Sequence, residues 1–96
     1  MPLLLSWAPL AVAHLRNAYE YIAEDNQTAA EAVLAKIFAG VERLEHYPQM
    51  GRPGRVQNMR ELVIPGTPFV VAYRVLSGRV EILAVLHASR KWPEKL

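Results

Sequence analysis

The chain has 96 residues, 52% of them hydrophobic, with eleven Lys and Arg against nine Asp and Glu. That length implies one domain spanning residues 1–96, burying roughly 60–68% of the surface its unfolded form exposes. There is no cysteine, so disulfides and thiolate metal sites are excluded, and no apolar run reaches the roughly 20 residues of a membrane helix.

"PLLLSW" (residues 2–7) reads as a short first strand. The opening "MPLLLSWAPLAVAH" also carries an A-x-A at Ala11–Ala13, but no Lys or Arg precedes its apolar part, and Pro2 and Pro9 interrupt it. A secretory signal is therefore not expected, and a cytoplasmic protein is. Pro9 suits the first position of a helix. Ala11, Leu15, Ala18 and Ile22 recur at spacings of four, three and four, which is one helical face, and this helix ends near "EDN".

Asn26 can cap the next helix, and Thr28-x-x-Glu31 is an alternative capping box. Ala30, Leu34, Ile37, Val41 and Leu44 continue the helical spacing, flanked by Val33 and Phe38. Two amphipathic helices joined by a short polar turn make an antiparallel hairpin. Their stripe is core rather than a cofactor site.

"HYPQMGRPGRVQN" (46–58), with two prolines and two glycines, reads as a loop. Three strands follow, at about 59–64, 69–76 and 79–87, turning at "PGTP" and "SG". The order is that of an α+β domain of two layers. A short N-terminal strand and an antiparallel two-helix hairpin pack on a mainly antiparallel sheet that ends in a three-stranded meander. In the last strand, strict alternation puts Val80, Ile82, Ala84 and Leu86 on one face and Glu81, Leu83, Val85 and His87 on the other. Helices on one side only leave the second face of the sheet for solvent or a partner.

Charge is unevenly divided. Residues 1–50 carry three basic and six acidic side chains, and residues 51–96 carry eight and three. A basic half suits an acidic partner or nucleic acid, although chance clustering on a soluble surface explains it nearly as well. Arg52, Arg55, Arg90, Lys91 and Lys95 are loop or tail cations that, with Tyr73 and Trp92, have the chemistry to hold a nucleic-acid backbone and stack on bases.

His87, at a strand end, has the chemistry of a general acid or base, and a structural histidine bonded to a carbonyl is the simpler reading. Ser89 is two residues away, which is no evidence of a hydrogen bond. His14 and His46 fall on helix surfaces or ends, and no spacing of His, Asp and Glu resembles a metal site. No metal or cofactor is expected. Arg60 and Arg74 face each other if the hairpin pairs Ile64 with Val70, which would ask for a bridging anion. A one-residue shift separates them, and Glu61 is a further candidate to neutralise Arg60.

Taken in order, "LRNAYEYIAEDNQTAAEAVLAKI", "LEHYPQMGRPGRVQNMRELVIPGTPFVVAYRV" and "VEILAVLHASRKWP" resemble the RelE/ParE superfamily of type II toxin–antitoxin toxins. The resemblance covers nearly the whole chain. It is most specific at "YP-x-x-GRPGR", "REL", "YRV" and "VLH-x-x-R". The chain departs from the usual pattern at Ala8, where a Ser or Thr cap is common, at His14, where an acid is common, and at Asn58-Met59, where a Gly-led turn is common.

The resemblance implies one of two activities. RelE-like members are ribosome-dependent mRNA endonucleases with a set of basic side chains. ParE-like members inhibit DNA gyrase and lack that set. An antitoxin silences both by wrapping the toxin in a hetero-oligomer. The positions where the nuclease branch places cations correspond here to Glu61, Val63 and Val70, which cannot stabilise a cleaving phosphate. Losing one such donor typically costs ~10²–10³ in rate. The ParE-like branch is therefore expected, with no catalytic residues and with Arg60, Tyr73, Arg74, His87, Arg90, Lys91 and Trp92 as target contacts. A nuclease would instead rely on Arg60, Arg74, His87 and Arg90, acting on ribosome-bound mRNA. A third reading is a toxin fold that only binds its antitoxin. The antitoxin is expected along the hairpin of residues 9–46, touching Leu15, Tyr19 and Ile22.

Overall fold

The computed structural model describes residues 2–89. Strand β1 (Leu4–Trp7) leads into helices α1 (Pro9–Ala23) and α2 (Gln27–Glu42), and α2 runs into a 3₁₀ turn, Arg43–Glu45. Then come β2 (Arg52–Pro53), β3 (Arg60–Val63), β4 (Phe69–Leu76) and β5 (Arg79–His87). The five strands form one sheet in the order β1-β5-β4-β3-β2. β1 is parallel to β5, and the other neighbouring pairs are antiparallel. This is the α+β arrangement that the periodicity predicts. Its one addition is β2, inside the expected loop, where Arg52 and Pro53 pair with Glu61 and Arg60 at the sheet edge.

Local chemistry sets the helix ends. Pro9 opens α1, and Ala8 offers no side-chain cap; its backbone N–H instead donates to the Ile82 carbonyl at 2.8 Å. Asn26, not Thr28, caps α2, its side-chain oxygen accepting the Ala29 N–H at 3.0 Å. The turn before β4 is Ile64–Thr67, where Gly66 takes φ +76° and the Thr67 N–H returns to the Ile64 carbonyl at 3.3 Å. Proline followed by glycine suits that turn, because proline presets the first φ and glycine tolerates a positive second.

The predicted helical stripe is the core. Ala11, Ile37, Val41 and Leu44 are fully buried against Ile64, Val71, Tyr73, Val80 and Ile82, with Leu15, Ala18 and Ile22 partly buried beside them. The predicted alternation of β5 fails at one place. Ala72 pairs with Ala84 but Tyr73 pairs with Ile82, so Leu83 is an extra residue. Such a bulge reverses the facing of everything beyond it. Val85 therefore joins Val80 and Ile82 in the core, while Ala84 and Leu86 join Ala72 on the far face. That far face is also less open than the sequence suggests. Val70, Ala72, Ala84 and Leu86 are all buried, and so is Glu61. Among the described residues no helix is long and apolar enough to cross a membrane.

Candidate functional site

The meander adopts the shifted register. Val63 pairs with Val70, Glu61 with Ala72 and Arg60 with Tyr73, so the Ile64–Val70 pairing and the facing arginines do not occur. Arg60 and Arg74 lie on opposite faces of the sheet. Each has its own partner. Arg60 Nη1 donates to the Gly51 carbonyl at 2.7 Å, and Arg74 Nε donates to Glu81 Oε1 at 2.7 Å. The anion-bridged pair is thus replaced by carbonyl contacts of Arg60 to Gly51 and, at 3.5 Å, Gln49, and by one surface ion pair.

Glu61 does not neutralise Arg60 either. Its carboxylate lies on the far face, above the small Ala72, and is only 4% exposed. Oε1 accepts from Arg52 Nε and Nη2 at 3.2 and 3.1 Å, and Oε2 accepts the Arg55 backbone N–H at 2.7 Å. One buried acid therefore ties down the "GRPGR" loop, which explains why that loop contributes a strand.

Tyr73 is not a surface for stacking on bases. It has no exposure, because alternation along β4 puts it on the core face with Phe69 and Val71. Its hydroxyl donates to the Pro48 carbonyl and accepts the Gly51 N–H, both at 2.8 Å. Burial raises the phenol pKa above its ordinary value, while the Gly51 bond and the nearby Arg60 charge pull it back down.

The end of β5 carries a concavity. β1 pairs with β5 only as far as Ile82, yet β5 continues to His87. Beyond that point α1 stands in for the missing strand. His14 Nδ1 accepts the Val85 N–H at 3.2 Å, so His14 is a satisfied structural residue rather than a surface one. A cleft of about 580 Å³ opens there, lined among others by His14, Asn17, Tyr21, Phe69 and His87. His87 packs edge-on against Phe69, ring centroids 5.7 Å apart. Ser89 Oγ lies 2.8 Å from His87 Nδ1, and the Ser89 N–H donates to the same nitrogen at 3.3 Å. The two residues are thus hydrogen-bonded. Two contacts from one residue to one nitrogen are the geometry of a local turn, not of a nucleophile poised at a substrate. Leu15 and Ile22 pack partly on the core and Tyr19 is half-buried. Arg90, Lys91 and Trp92 lie outside the described residues. Among those described, no group of three His, Asp or Glu is placed to hold a metal ion.

His14 gives a pH prediction. Burial lowers its pKa below the ordinary 6.5, so the fold favours the neutral ring. Protonation would also turn Nδ1 from acceptor to donor, facing the Val85 N–H. This contribution to stability is complete above pH 6.5 and is lost as pH falls through the lower folded value. Urea midpoints should therefore fall between about pH 7.5 and about pH 5.5. His14→Gln, whose amide oxygen still accepts, should flatten that slope. An equally steep slope in the variant would remove His14 as the cause.

The fold and its braced basic loop define a small α+β domain, and comparison with known proteins makes the class specific. Residues 5–92 match the family model described as ParE toxin of type II toxin-antitoxin system, parDE. The chain belongs to this family and is a type II toxin–antitoxin toxin. It is 41% identical over 92 residues to "Putative toxin Y4kP" of Sinorhizobium fredii, covering 96% of this chain and 95% of that one. It is 32% identical over 84 residues to Toxin RelE2 of Caulobacter vibrioides, covering 88% and 93%. A chain in the structure of the chromosomal ParDE TA system from P. aeruginosa superposes with a TM-score of 0.83 at 26% identity, over 91% and 97% of the two chains.

Proposed function

We propose that this toxin acts by inhibiting DNA gyrase and is held inactive by a cognate antitoxin. One observation carries the reading. At the positions where nuclease relatives place cations stand a buried, ion-paired glutamate and two valines, Glu61, Val63 and Val70. Arg60 and Arg74, the cations nearest to them in sequence, sit on opposite faces and are bonded to Gly51 and Glu81. Transition-state stabilisation needs several donors converging on one developing charge, and this geometry disperses them. His87 and the 87–92 segment then serve as a gripping surface for the target. The antitoxin lies along the α1–α2 hairpin, where Leu15, Tyr19 and Ile22 border exposed Leu10, Val12 and Tyr21, and an amphipathic segment has apolar surface to cover.

The test is supercoiling of relaxed plasmid by purified gyrase. The toxin is expected to inhibit it, and normal supercoiling at large toxin excess would sink the proposal. The relationship to Toxin RelE2 supplies the competing outcome. That outcome is in-frame mRNA cleavage on translating ribosomes, abolished by Arg74→Ala or His87→Ala, with supercoiling unaffected.

A further inference from the structure

The edge strand β2 and the loop after it present a surface that the gyrase reading leaves unused. Between Glu45 and Glu81 the chain has five cations, all arginine, and a single acid, Glu61. That acid is buried, so it acts on the arginines from beneath and is not offered to a partner. Arg52 and Arg55 keep 55% and 54% of their side chains exposed while leaning on it. Arg52 uses only Nε and Nη2 for this contact, out of a fork of five donors. The rest of the loop's exposed surface is Pro53, Gln57 and Asn58. It has arginines and amides and no exposed large apolar side chain. Protein interfaces are anchored by Trp, Tyr and Arg seated in desolvated pockets, and this edge has no exposed aromatic, whereas phosphate backbones are held by Arg, Asn, Gln and main-chain N–H groups. Of the six acidic side chains in residues 1–50, five lie in α1, α2 or the turn between them and the sixth, Glu45, in the 3₁₀ turn, so none of them stands on this edge.

We propose that the β2 edge, through Arg52 and Arg55, binds the phosphate backbone of duplex DNA, with buried Glu61 acting as a positioning residue that fixes the two guanidinium groups. The proposal deepens the gyrase reading: a toxin seated on an enzyme that handles DNA would meet the duplex with this edge. It can be tested without gyrase, so the two ideas fail separately.

The experiment is fluorescence anisotropy of a labelled 20-base-pair duplex (about two helical turns) titrated with toxin over a range of salt. Wild type should bind saturably, more weakly as salt rises. The Arg52→Gln/Arg55→Gln variant should lose about 1.8 from the slope of log K against log salt, two phosphate contacts at about 0.9 each. Because that variant strands the Glu61 charge, the triple variant with Glu61→Gln is measured beside it, with circular dichroism confirming the fold, and should show the same loss. Arg79→Gln removes an exposed arginine elsewhere and should leave the slope unchanged. The proposal is overturned if wild type shows no saturable binding. It is also overturned if the folded triple variant keeps the wild-type slope, or if Arg79→Gln lowers the slope as much as the pair. Binding to a poly-glutamate chain in place of the duplex would identify an acidic protein partner instead. Gyrase inhibition that survives any of these results leaves the earlier reading standing.

Discussion

Glu61→Ala should lower the free energy of unfolding by about 2–3 kcal/mol, a large share of the roughly 5–15 kcal/mol typical of small domains. The carboxylate accepts three hydrogen bonds, two from Arg52 and one from the Arg55 backbone. A bond to a charged group contributes about 1.5–3 kcal/mol, but the sum is much smaller. Arg52 is more than half exposed, so water compensates much of its loss, and deletion also returns the cost of burying the carboxylate. What is not recovered is the Arg55 N–H bond and the anchoring of the loop. Glu61→Gln keeps the shape and one acceptor, and should cost about 1 kcal/mol. Urea unfolding at constant m-value checks both figures. A Glu61→Ala midpoint equal to wild type would show that the loop is held by other contacts.

Gly51→Ala is the second large effect, at about 3–4 kcal/mol, combining overpacking with lost hydrogen bonds. A Cβ at Gly51 would lie 2.6 Å from the Tyr73 hydroxyl, 2.7 Å from its Cε1 and 2.9 Å from the Glu61 carbonyl oxygen. None of these is a flexible tip. The ring is fully buried, and the hydroxyl is fixed by Pro48 and the Gly51 N–H. The ring must shift, and both bonds loosen with it. Tyr73→Phe alone removes the two bonds and should cost about 2 kcal/mol. In that background Gly51→Ala should cost less than in wild type but not nothing, since Cε1 and the carbonyl remain. A double-mutant cycle measures the coupling, and strict additivity would show that the close approach is not what constrains residue 51.

The same residues show how far local sequence determines this protein. Helical spacing from Ala11 to Leu44, the proline–glycine turn at 65–66 and the strand runs of the meander are set by neighbours a few residues apart. For that reason the α+β layout, the core stripe and the family motifs are legible directly. Asn26 and Pro9 mark helix starts for the same local reason.

Tertiary structure decided what depends on a single residue of offset or on partners distant in sequence. Of the two β3–β4 registers that the sequence leaves open, pairing selects the one with Val63 opposite Val70, and with period-two side chains one residue exchanges faces. Arg60 and Arg74 separate for that reason, and Arg60 pairs with Tyr73 instead. The bulge at Leu83 does the same to Val85 and His87, and it has no local signature. Glu61 reads as an ordinary strand acid until the loop from Arg52 to Met59 folds over it. His14 reads as a surface residue until β1 proves too short to cover β5. Sequence by itself established what kind of domain this is. Which side chains share a face, and which cations are already engaged, was decided only when the strands paired, because hydrogen-bond register is a property of two strands together.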